Sequence, residues 1–106
     1  MPNYLVTYHG GEGPPSTPEA QQQVHAAFGA WVASVGDAMV DPGAPLGPTK
    51  SVSAHGSEDG PVNCAIGGYT VLQASDLDAA VGLVSNHPFI SRGGALQVSE
   101  GIAIGG

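Results

Sequence analysis

From Asn3 to His9 the chain alternates Tyr4, Val6 and Tyr8 with Leu5, Thr7 and His9. The period is two and β-branched and aromatic residues dominate, which predicts a strand. Both sets are partly apolar, so neither face of this strand reads as fully solvated. The run Gly10-Gly11-Glu12-Gly13-Pro14-Pro15 cannot extend it and predicts a loop. The period then changes. Val24, Phe28, Trp31, Val32 and Val35 fall on one stripe of a 3.6-residue repeat. Two starts are open to this helix. Ser16 as N-cap puts Glu19 at N3 in a capping box, and Thr17 as N-cap puts Pro18 at N1. Gly36 is placed to end it, giving about 18 residues and about 27 Å.

Asp41 to Pro48 reads as irregular because of its Pro and Gly content. Thr49–His55 is then a short strand and Ile66–Ala74 a second. The two form an expected hairpin that turns at Asp59-Gly60. The paired glycines Gly67 and Gly68 suggest a bulge or a close backbone approach. Ser75 is expected to cap a second helix, with Asp76 and Asp78 in its first turn and Leu77, Ala80, Val81 and Val84 as its apolar stripe. Pro88 forces an end near Asn86 and His87. A last strand is expected from about Ala95 to Ile104, with Leu96, Val98, Ile102 and Ile104 on one face.

The order is β-α-β-β-α-β, within a single domain spanning residues 1–106. The predicted fold class is α+β: ferredoxin-like βαββαβ, a four-stranded antiparallel sheet with two helices on one face. Alternate positions on the other face are also apolar or aromatic. A lone protomer would leave that face wet, and such patches mark interfaces, so a homodimer with two-fold symmetry is expected.

Charge narrows the function classes. Two basic residues, Lys50 and Arg92, stand against nine acids, for a formal charge of −7. Nucleic-acid affinity needs several phosphate-neutralising cations, so nucleic acid and anionic membrane surfaces are disfavoured as partners. No apolar stretch approaches the roughly 20 residues of a membrane span. The N-terminus lacks the basic region of a signal peptide. The single Cys64 allows no internal disulfide and excludes a Cys-rich zinc site. These features together predict a cytoplasmic protein. Cys64 itself reads as a small buried or loop thiol.

Several segments together resemble the YCII-related family, and within it the DGPF branch. They are Tyr4-Leu5-Val6-Thr7-Tyr8-His9-Gly10-Gly11, Gly43-Ala44-Pro45-Leu46, Asp59-Gly60-Pro61-Val62 and Gly67-Gly68-Tyr69-Thr70-Val71, then Asp76-Leu77-Asp78-Ala79-Ala80, His87-Pro88 and Gly93-Gly94. Val62 departs from the pattern, standing where that branch usually carries Phe. The resemblance implies a dimeric α/β-barrel in which two ferredoxin-like protomers pack sheet against sheet. It also implies a cleft lined by a His and an acid. Fold alone does not fix the reaction.

His25 resembles the His on the first helix of YCII-like proteins. It lies at the margin of the apolar stripe, where an imidazole could serve as general acid or base; the structural alternative is a helix-edge side chain in solvent. Asp37 is too far along the helix to be its partner. Asp41, beyond the helix end, can return towards His25 if the chain doubles back; otherwise it is a turn residue before Pro42. His9 ends the first strand where a Gly-rich loop begins, a common place for a ligand. With Tyr8 it forms the expected ligand-binding pair. His55 is expected to be exposed, and His87 to be a cation at the end of the second helix. Tyr4, Tyr69 and Trp31 read as core or interface aromatics.

No metal is expected, because no HxH, HxxxH or HExxH spacing occurs. No cofactor is expected either, since phosphate-loop and dinucleotide motifs are absent, and the absence of GxSxG leaves no Ser nucleophile elbow. The sequence thus points to a small enzyme using His25 and Asp41 on a small molecule in a cleft near the dimer sheet. The alternative is a non-catalytic dimeric module that binds a small ligand or a protein.

Overall fold

The structure is a computed structural model that describes residues 1–11 and 15–102. Its strands are β1 (Asn3–Gly10), β2 (Met39–Pro45), β3 (Lys50–Ser53), β4 (Gly56–Asp59), β5 (Gly68–Gln73) and β6 (Gly94–Glu100). Its helices are α1 (Pro18–Val35), α2 (Leu77–Val84) and the single turn α3 (Pro88–Ser91). Four strands form one sheet in the order β2-β5-β1-β6, and every pairing is antiparallel. This is the ferredoxin-like order with an additional hairpin, β3–β4, between the second and third core strands.

Of the two possible starts for α1, the chain uses Thr17, whose hydroxyl accepts from the Ala20 N–H at 3.1 Å, with Pro18 at N1. Thr17→Ala is expected to lower stability by about 1 kcal/mol in urea denaturation. Gly36 ends the helix with φ +64°, and a 3₁₀ turn over Gly36–Ala38 follows. Trp31 and Val35 are buried and pack with Tyr4, Val6, Leu72, Ala80 and Val84 into the core between helices and sheet. Trp31 Nε1 also donates to the Leu83 carbonyl at 2.9 Å, tying α1 to α2. Asp76, rather than the expected Ser75, caps α2 by accepting from the Ala79 N–H at 2.8 Å.

The second core strand is not where the periodicity placed it. Met39–Pro45, expected to be irregular, is β2, whereas the segment expected to pair with β5 turns back on itself as β3–β4. An edge strand bonds on one side only, so the missing N–H of Pro42 is tolerated there. The register with β5 slips between Met39 and Asp41 and again between Asp41 and Ala44, and these bulges absorb the extra residues. At the second bulge Gly43 has φ +79°, and a Cβ there would overlap the Tyr69 carbonyl. β6 ends at Glu100. Ile102 is exposed beyond it, and Ile104 lies outside the described residues.

The face away from the helices carries Leu5, Tyr69 and Val71 at its centre and Asn3, Thr7, Gln73, Gln97 and Ser99 around them. It is therefore less apolar than the alternation implied, but it is poor in charge. Asp41, registered opposite Val71, is its one charged residue among the described residues.

Candidate functional site

Consecutive residues on a strand point to opposite sides of a sheet, and β1 uses this to build two separate histidine environments. Tyr8 points towards the helices and His9 towards the open face.

On the helix side, Tyr8 Oη lies 2.7 Å from Thr70 Oγ1 and 2.8 Å from His87 Nε2. Both ends of this chain fix its polarity. Thr70 donates to the Pro42 carbonyl at 2.9 Å, so Tyr8 donates to Thr70 and accepts from His87 Nε2–H. His87 Nδ1 accepts from the Phe89 N–H at 3.0 Å, which makes His87 the N-cap of α3. The imidazole is thus neutral, with both nitrogens engaged. Trp31 packs against it in a tilted contact with ring centroids 4.3 Å apart, and Tyr8 meets it edge-on. Burial pushes its pKa down to about 4, and burial also raises the Tyr8 phenol. His87 is therefore not the expected helix-end cation, because a buried ring facing a backbone N–H cannot hold a second proton there without losing that bond.

On the open side, His9 Nε2 lies 2.8 Å from Thr7 Oγ1 and Nδ1 lies 3.2 Å from the Ala65 carbonyl. The carbonyl can only accept, so Nδ1 carries the proton and Nε2 accepts from the Thr7 hydroxyl. Cys64 Sγ is 3.8 Å from the same Nδ1; this thiol is exposed, on a loop. The loop is held to the sheet by Gly67 N–H donating to the Tyr8 carbonyl at 2.7 Å. His9, Cys64, Ala65, Ala95, Leu96 and Gln97 line an open cleft of about 650 Å³. A second cleft of about 410 Å³, between α2, α3 and β6, is lined by Leu77, Val81, Ile90 and Val98, and no acid or base faces it.

The difference between the two imidazoles is chemical. A hydroxyl both donates and accepts, so Thr7 can turn and accept from Nε2–H if His9 gains a proton. His87 Nδ1 faces a backbone N–H that can only donate. The Thr7 hydroxyl can therefore partner either state of the His9 ring, whereas the Phe89 N–H can partner only a neutral His87.

The other expected site residues do not converge on this cleft. His25 is exposed on α1, with no hydrogen-bond partner among the described residues. Asp41 is exposed, and its Oδ1 accepts from the Gly43 N–H at 2.9 Å, the turn role left open for it. Its register places it on the side of the sheet away from α1, and no hydrogen bond joins it to His25. Tyr8, expected beside His9, faces the opposite side. His55 is exposed. Among the described residues no group of three or more His, Cys, Asp or Glu side chains is placed to hold a metal, and no helix is long and apolar enough to cross a membrane.

No protein-family profile matches the chain, and no curated protein matches it. Among solved structures it is similar to the 5-chloro-2-hydroxyhydroquinone dehydrochlorinase of Burkholderia phenoliruptrix, determined in complex with 2,5-dihydroxybenzoquinone. The two share 19% identity over 94% of this chain and 93% of that one, with a TM-score of 0.52. That likeness establishes a common fold.

Proposed function

We propose that this chain is a YCII-related protein of the DGPF branch and a small dimeric enzyme of a reducing, cytoplasmic compartment. Its acid/base is His9, at the cleft on the open face of the sheet, rather than His25 with Asp41. The observation that carries this reading is the environment of His9. The ring is held by Thr7 and the Ala65 carbonyl at the wall of an open cleft, and its Nε2 partner tolerates both protonation states. Histidine is the side chain suited to proton exchange near neutral pH. A substrate hydroxyl or acidic C–H entering the cleft competes with Thr7 for Nε2 and passes its proton there.

The charge of −7 favours a neutral or weakly charged substrate. The similar fold of an enzyme that binds a small dihydroxyquinone agrees with a compact, oxygen-bearing molecule of that class. Turnover of a panel of hydroxylated and halogenated quinols, enols and hydroxyketones tests the reading. His9→Gln is expected to lower kcat/KM by about a hundredfold, and His25→Gln to leave it within about twofold. Loss in His25→Gln with none in His9→Gln overturns the assignment. Binding shifts at His9 without turnover of any member would identify the alternative, a binding module.

A further inference from the structure

Among the described residues the hairpin β3–β4 has no bed in its own protomer. It makes no extensive contact with the four-stranded sheet or with a helix, and of its eight strand residues only Ser51 is even half-buried. Val52 is 79% exposed, and Val62, just past the hairpin, is 81% exposed. An isolated two-stranded hairpin is marginal in water. The projection also shows in the shape: the radius of gyration is 15.3 Å, against about 13 Å for a compact chain of this length.

The open sheet face has the converse shortage. Four strands about 4.8 Å apart and about seven residues long present roughly 450 Å², while a stable pair buries about 800 Å² on each partner. The face is charge-poor but too small alone. The arm is exposed and apolar at Val52 but has nothing to lie on. Two-fold pairing of identical chains meets both shortages at once, because each copy supplies a face and an arm.

Charge favours a second copy on the sheet face in particular. Two chains of −7 each repel, and can meet only where acids are sparse. Among the described residues the face offers the single Asp41; the arm carries Glu58 and Asp59, of which Asp59 pairs with Lys50 at 3.1 Å, so the arm docks through Val52 rather than through its charge.

We propose that the hairpin Lys50–Asp59 is a dimerisation arm that lies against a second copy of this chain and extends the sheet-to-sheet contact to the size a stable dimer needs. This rests on the dimeric reading given above and adds to it the part that closes the interface. Sedimentation of the full chain at micromolar concentration, with amide hydrogen exchange, tests it. The 10.5 kDa chain is expected to sediment at twice its mass. Val52→Asp, with far-UV circular dichroism unchanged, is expected to raise the dimer dissociation constant at least tenfold. Amides of the arm are expected to be protected in the dimer and to lose protection on dilution. If Val52→Asp dimerises as the wild type does while Leu5→Glu, on the sheet face, dissociates, the arm proposal fails and the sheet-face dimer stands. A wild type that remains monomeric at about 100 µM overturns both.

Discussion

Gly43→Ala is expected to cost about 3–4 kcal/mol in urea denaturation, much of the 5–15 kcal/mol that holds a domain of this size together. Two causes add. The φ of +79° belongs to the left-handed region, where a residue with a Cβ is strained by about 1 kcal/mol or more. The larger cause is steric, since the new methyl would occupy the space of the Tyr69 carbonyl. β2 could escape only by moving away from β5, and the Thr70 bond to the Pro42 carbonyl would break with it. Gly36→Ala separates the two causes. Its φ of +64° and ψ of −133° are a conformation that favours glycine, with open space where the Cβ would go, so backbone strain alone, about 2 kcal/mol, is expected there. Equal losses at the two positions would show that backbone strain alone sets the cost and that β2 yields freely.

The second large effect is acid lability. His87 in an unfolded chain takes a proton near pH 6.5, whereas burial in the folded protein delays this to about pH 4. Between those values the unfolded state binds more protons, so stability falls as pH falls through that window and is fully present above it. The shift corresponds to about 3 kcal/mol at its limit. His87→Asn keeps an acceptor for the Phe89 N–H but removes the titrating ring. Its stability at neutral pH is expected to be lower, because Tyr8 loses a donor and Trp31 a ring contact. Between pH 6.5 and 4 its profile is expected to be flatter than that of the wild type. Parallel denaturation profiles for the two proteins would mean that His87 is not the group responsible.

The fold class was legible because its signals are local. Thr17-Pro18 and Gly36 bracket α1, its apolar stripe gives its buried side, and the alternation of β1 gives the strand, though with both faces partly apolar it does not single out Tyr4 and Val6 as core. β2 was not legible. Pro42, Gly43 and Pro45 look like loop residues, and only the position at a sheet edge, a tertiary fact, allows them in a strand. Once that strand is missed, β3 is left to serve as the second core strand, which displaces the hairpin. The candidate site divided in the same way. His9 at a strand end before glycines was readable, whereas its contacts with Ala65 and Cys64 depend on how residues 61–67 return over β1. His87 misled because it follows a helix. The signal that could have placed it is Pro88: a His immediately before a Pro at N1 is a capping position for the next helix. Its bond to Tyr8 joins residues 79 apart in sequence, a distance no local pattern spans.

Trp31 is the chain's single tryptophan, and it packs against the ring whose protonation loosens the fold. An imidazolium quenches indole emission more strongly than the neutral ring does. The protein therefore carries a built-in optical probe: as acid reaches His87 the fluorescence of Trp31 dims before the indole meets water, and its emission shifts to the red only when α1 parts from the sheet.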